Sequence, residues 1–130
     1  TLWLDADGDG DLDFLMPKGR PRFFENLAGA GRRHLQISLQ GRASDPTGAR
    51  VVVESSAGTQ TRVLASGEGH YNTQQSRVLA FGLGGDSGAS EVRIHWPSGA
   101  VDALGPVRAD HHLLVREGGE VTVLRAPAGE

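Results

Sequence analysis

Five aspartates occupy alternate positions in the run Asp5-Ala6-Asp7-Gly8-Asp9-Gly10-Asp11-Leu12-Asp13. Carboxylates this close repel one another by roughly 0.5–1 kcal/mol per near pair in water, and by more where a loop is partly dry, so an ordered loop needs a counter-charge. Calcium meets that need, because it accepts a flexible shell of about six to eight hard oxygens, which alternate Asp side chains, a backbone carbonyl and water can supply together. The metal ligands expected are therefore Asp5, Asp7, Asp9, Asp11 and Asp13, with Ca2+ as cofactor.

The glycines fix the register. With Asp5 first, Asp7 and Asp9 stand third and fifth, Gly10 stands sixth where a left-handed turn is needed, Asp11 offers its carbonyl at the seventh position and Asp13 closes at the ninth. Starting at Asp7 would place Leu12 at the turn, where a bulky side chain is unfavourable. An EF-hand is excluded, since its closing bidentate Glu would fall on Met16, and Pro17 blocks the exit helix.

Short apolar segments flank the loop, Leu2-Trp3-Leu4 before it and Leu12, Phe14, Leu15 and Met16 after it, so it belongs to a β-hairpin. Asp5 to Leu15 resembles the calcium loop of FG-GAP or VCBS repeats, the blades of integrin-type β-propellers, in which the matching aspartates hold the ion. The resemblance implies a partial repeat over residues 1–27, with further propeller repeats upstream in the same protein as its partners.

A chain of 130 residues that is 38% hydrophobic and 22% charged belongs to the globular class. The net charge of −3 becomes +2 when the five loop aspartates are set aside, so no broad basic field exists to recruit nucleic acid. Without cysteine there is no disulfide framework, zinc ribbon or thiol nucleophile. No apolar run reaches the roughly 20 residues of a membrane span. A loop of this kind fills most readily where calcium is millimolar, which points to a secreted, periplasmic or extracellular setting. The chain opens inside an apparent strand with no signal peptide in view, so an export signal is expected upstream.

Beyond Arg22 to Leu27, another short strand, the stretch 28–33 reads as a linker. From His34 the pattern alternates: Leu35, Ile37 and Leu39 lie on one face, followed by Val51 to Val53, Thr59 to Leu64, Val78 to Leu83, Val92 to Trp96, Leu113 to Val115 and Val121 to Leu124. Helical periodicity is absent. The expectation is an all-β protein, an antiparallel β-sandwich or small barrel of seven to eight strands over 34–117, with a terminal strand and frayed tail over 118–130. Gly84-Gly85 and Gly118-Gly119 permit tight reversals, the latter closing a hairpin.

The strings Gly48-Ala49-Arg50-Val51, Gln60-Thr61-Arg62, Gly67 to Tyr71, Phe81-Gly82-Leu83-Gly84 and Trp96-Pro97-Ser98-Gly99 resemble, in this order, the ASPIC/UnbV domain. That domain typically follows FG-GAP or VCBS repeats in secreted proteins of the cartilage acidic protein type, so the two resemblances support each other. The match departs at Ser44-Asp45-Pro46-Thr47, where the family tends to an Asn-rich turn, and at Ala80, where it commonly has His. Gly48 and Gly82 still supply backbone freedom.

Other candidates carry less chemistry. His111 and His112 are adjacent on a strand and point to opposite faces, so they cannot share one ion without a bulge. His34, His70 and His95 read as packing or surface imidazoles. No Gly-x-Ser-x-Gly elbow occurs, Gly82 to Gly85 lacks the Lys and helix of a phosphate loop, and Glu54 with Glu68 has no known separation for acid-base work. Trp96, Tyr71 and the polar turn Pro97-Ser98-Gly99 could grip a sugar ring by stacking, but Trp96 shares a face with Val92 and Ile94, which argues for the core.

These readings converge on a non-enzymatic calcium-binding extracellular module for adhesion, matrix attachment or scaffolding in a larger secreted protein, with a protein or glycan ligand. The alternatives are a carbohydrate-binding β-sandwich and, further off, an accessory domain of a secreted hydrolase.

Overall fold

The computed structural model describes residues 2–7, 9, 11–29, 31–66, 77–127 and 129, and every regular element among them is a strand. Strands β1 (Leu2–Leu4), β2 (Asp13–Met16) and β3 (Arg22–Phe24) form an antiparallel sheet in that order. Its register sets Trp3 opposite Phe14 and Phe14 opposite Phe24 on one face, with ring centroids 4.9 and 5.7 Å apart. Leu2, Leu15 and Phe23 align on the other face. Both faces of this small sheet are therefore apolar, and Trp3, Phe23 and Phe24 stay about half exposed.

The remaining strands are β4 (Arg33–Gln40), β5 (Arg50–Ser55), β6 (Gly58–Val63), β7 (Leu79–Gly84), β8 (Gly88–Ala89), β9 (Glu91–His95), β10 (Val101–Leu104), β11 (Val107–Arg108), β12 (His111–Arg116) and β13 (Glu120–Arg125). They build two four-stranded sheets, ordered β10-β9-β5-β6 and β13-β12-β4-β7, with β11-β8 as a two-stranded extra. The period-2 pattern explains the core. Leu35 and Ile37 of β4, Val51 and Val53 of β5, Phe81 and Leu83 of β7, Val92 and Ile94 of β9, and Val115 of β12 are wholly buried in one apolar cluster. Their neighbours along each strand face outward.

The sandwich expected from the sequence is what forms, and no barrel closes. Two details differ. The ladder between β4 and β12 is parallel, with Leu35 opposite His111 and Gln40 opposite Arg116, because the long chain segment between these strands gives room for a crossover. The strands also outnumber the seven to eight expected, since β8, β10 and β11 are short and lack the sustained alternation that marks a strand in sequence.

The glycine pair Gly118 and Gly119, with φ of 110° and 89°, turns β12 into the antiparallel β13 as expected. Gly48 likewise has φ of 92°, whereas Gly82 lies in β7 without a left-handed backbone and supplies no special freedom.

Candidate metal centre

Strands β1 and β2 hold the two ends of the acidic loop, and the loop rests on the outer face of the β13-β12-β4-β7 sheet. The contact is made by Gln36, which alternates with core residues Leu35 and Ile37 and so points away from the core. Its Nε2 donates to Asp5 Oδ2. Only Gln36 and Asp13 are buried polar side chains among the described residues, and both serve this loop.

Asp5, Asp7 and Asp9 each bring a carboxylate oxygen into one cluster whose atoms lie within 4.8 Å of one another. The backbone creates this geometry by local capping. Asp9 N donates to Asp7 Oδ1 and Asp11 N to Asp9 Oδ1, each at 3.0 Å, a two-residue pattern that curls the chain and turns successive carboxylates inward.

Asp13 is 1% exposed and ties the loop to the sheet: its Oδ2 accepts from Ala6 N and its Oδ1 from Asn26 N, both at 2.9 Å. Asp11 Oδ2 accepts from Gly29 N at 2.9 Å. A Cβ on Gly29 would sit 2.4 Å from that oxygen, so only glycine permits the approach. The stretch read as a linker thus begins with a fixed contact, and Ala28 N also donates to Asn26 Oδ1.

The other oxygen of Asp11, Oδ1, is buried and meets no hydrogen-bond donor. Burial foremost, and then the charges of Asp9, Asp13 and Asp7, push the Asp11 carboxyl above its ordinary value, while the Gly29 amide works in the opposite direction. The donor set consists of hard carboxylate oxygens only, and an oxygen already accepting one amide keeps a second lone pair. A divalent cation with oxygen preference fits this chemistry, with Asp5, Asp7 and Asp9 as the clustered donors and Asp11 and Asp13 as the loop's fasteners. Gly10, the residue that set the register, lies outside the described residues, as do Glu68, His70, Tyr71 and the rest of 67–76.

The remaining sequence candidates are dispersed. Trp96 is 4% exposed, and its Nε1 donates to Asp102 Oδ2 at 2.7 Å, so it presents no ring to a sugar. Glu54 pairs with Arg93 at 3.2 Å. His111 Nδ1 lies 2.7 Å from Ala109 O, and His112 Nε2 lies 2.8 Å from Ser38 Oγ. Burial, followed by the charge of Arg125, holds the His112 imidazole below its ordinary value. Sequence reasoning missed Gln36 and Asn26, since a Gln on an alternating strand reads as a solvent-facing residue and nothing local says that the loop will cover it.

A β-sandwich carrying an acidic hairpin on one outer face is the class of protein that this geometry defines. Residues 40–122, more than half of the chain, match the family described as ASPIC and UnbV, and the chain belongs to that family. The matched segment runs from the last residue of β4 into β13. No curated protein matches the chain.

Proposed function

We propose that this chain is a non-enzymatic, calcium-binding extracellular module, in which an FG-GAP or VCBS-like hairpin is joined to the ASPIC/UnbV sandwich for adhesion, matrix attachment or scaffolding within a larger secreted protein. The observation that carries this reading is the gathering of Asp5, Asp7 and Asp9 oxygens within 4.8 Å. The buried, donorless Asp11 Oδ1 adds to it, because such an atom is costly unless a partner arrives. A bound divalent cation would neutralise the cluster and stabilise the folded loop by mass action.

The repeat-like character of the hairpin is supported by its two apolar faces. A three-stranded sheet with Trp3, Phe14 and Phe24 on one side and Leu2, Leu15 and Phe23 on the other needs cover on both, which neighbouring blades of a propeller would give. The carbohydrate alternative lacks its aromatic platform at Trp96.

The test is titration calorimetry with calcium and with magnesium, beside thermal unfolding in calcium and in chelator. Saturable calcium uptake with a raised melting temperature, both lost in Asp7→Ala, is the expected result. No uptake at millimolar calcium would overturn the reading.

A further inference from the structure

The two sheets of the sandwich present unlike outer faces. That of β13-β12-β4-β7 carries the acidic loop through Gln36, whereas that of β10-β9-β5-β6 is open to solvent, with Val63 and Val101 each 54% exposed. Because Val51, Val53, Val92 and Ile94 fill the core, their neighbours along each strand point outward. The outward residues are therefore Arg50, Val52 and Glu54 on β5 and Glu91, Arg93 and His95 on β9. The antiparallel register sets Arg50 beside His95 and Val63 at one end of the face, Val52 beside Arg93 and Thr61 in the middle, and Glu54 beside Glu91 and Thr59 at the other end.

The face is thus polarised along its strands. At the acidic end Arg93 answers only part of the charge: its Nε and Nη2 hold the two oxygens of Glu91 at 2.9 and 2.8 Å, and the same Nη2 reaches Glu54 Oε1 at 3.2 Å. Two carboxylates against one guanidinium leave a negative charge over, and Glu54 Oε2 meets no donor among the described residues. At the basic end, the side chains of Arg50 and His95 make no hydrogen bond or ion pair among the described residues. Along β5 the outward sequence is base, apolar, acid, a pattern that complements itself when reversed about Val52. A two-fold axis lying in the face and crossing the strands at Val52 would carry the basic end of one copy onto the acidic end of another, as an isologous contact requires.

We propose that this face joins two copies of the chain, packed sheet on sheet about that axis, with Arg50 of each copy against Glu54 of the other. Aligned packing of two sheets then brings Val52 onto Val52 at the centre and His95 over Glu91 of the partner copy, while the exposed Val63 gains cover. Arg93, already held by Glu91 and Glu54 of its own copy, brings no unanswered charge to the axis. Four strands of four to six residues make a small face, so the association is weak, with a dissociation constant on the order of 100 micromolar. The acidic loop lies on the opposite sheet, so the inference is separate from the proposed calcium role.

The experiment is sedimentation equilibrium of the whole chain from about 10 micromolar to about 1 millimolar, in chelator so that no calcium ion can bridge two acidic loops. The mass should rise from one chain toward two across this range. Arg50→Glu and Glu54→Arg should each weaken self-association by about a hundredfold, because every dimer then opposes like charges twice. Neither position belongs to the core, and urea midpoints verify that both variants keep the sandwich. Mixing the Arg50→Glu chain with the Glu54→Arg chain should restore pairing, since acid again faces base at both contacts, and a misfolded variant could not give that result. Should Glu54→Arg fail to fold, Glu54→Gln takes its place and should weaken the self-association of an intact sandwich. A one-chain mass over the whole range, association untouched by Arg50→Glu, or two folded charge-reversed chains that do not pair on mixing would overturn the proposal.

Discussion

Gln36 of the sandwich, 7% exposed, donates its side-chain amide to Asp5 at the start of the acidic loop, and this hydrogen bond joins the N-terminal hairpin to the ASPIC/UnbV sheet. A hydrogen bond to a charged group contributes about 1.5–3 kcal/mol, and its loss leaves a desolvated carboxylate behind. Gln36→Leu should therefore loosen the hairpin from the sheet. Hydrogen exchange should accelerate in residues 2–24 while β5 and β9 keep their protection, and calcium affinity should fall because Asp5 loses its fixed position.

Asp13 separates holding the loop from serving the ion. Both of its oxygens accept backbone amides from within a nearly solvent-free position, so Asp13→Asn must leave one of the Ala6 and Asn26 amides facing a donor instead of an acceptor. A loss of about 2–3 kcal/mol in hairpin stability is expected in chelator as well as in calcium. Asp7→Ala removes one clustered carboxylate together with its exposed cap on Asp9 N, so it should cost less than Asp13→Asn in chelator and abolish the response to calcium. Urea unfolding under both conditions distinguishes the two.

Asp11 gives a test of opposite sign. Its carboxyl is held above the ordinary value by burial and by neighbouring carboxylates, so ionising it in the fold is unfavourable. Stability in chelator should fall as pH rises from the unfolded value through the raised folded value. Asp11→Asn keeps an acceptor for Gly29 N and removes the charge, so in chelator at neutral pH it should be at least as stable as the wild type. The same variant should bind calcium more weakly, which calorimetry reads directly.

Trp96 is anchored at both ends of its chemistry, its ring in the core and its Nε1 on Asp102, which also accepts from Gly118 N at 2.9 Å. Trp96→Phe removes one donor and leaves the Gly118 bond to carry the carboxylate, at an expected cost of about 1–2 kcal/mol in urea unfolding. Any glycan response of the wild type should survive the substitution. Its loss with the fold intact would return the tryptophan to a ligand-facing role.

The strands of the sandwich were legible because burial on one face imprints a period of two: Leu35, Ile37, Val51, Val53, Val92, Ile94 and Trp96 declare their inward side without help from tertiary context. The same rule hid Gln36, whose outward position becomes buried only when a loop distant in sequence settles on it. Strand β10, Val101 to Leu104, is four residues long with an exposed Val101, so its pairing with β9 comes from the sheet edge and leaves little pattern of its own. The parallel β4–β12 ladder was equally hidden, since strand direction depends on the path of the connecting chain. At the acidic loop, the alternation of aspartates announced a cluster. Which of them face one another and which fasten the backbone depended on amides supplied by Ala6, Asn26 and Gly29.

Asp45 stands in the turn where the chain departs from its family's pattern, and it organises that turn. Its Oδ1 accepts from Thr47 N at 2.8 Å and from Arg77 at 2.9 Å, and the Arg77 hydrogen bond foremost, followed by those of Thr47, holds its carboxyl far below the usual carboxylate range. A carboxylate whose value is depressed in the fold stabilises it above the unfolded value, about 3.9, and that contribution drains away as pH falls toward the folded one. The pair is well exposed, so the effect is modest and screened by salt. Asp45→Asn should flatten the acid limb of stability between about pH 4 and pH 2 relative to the wild type. Near pH 7, high salt should narrow the difference between the two proteins. Urea midpoints collected across this range check the prediction, and parallel acid limbs for wild type and variant would show that Asp45 takes no part in holding the turn.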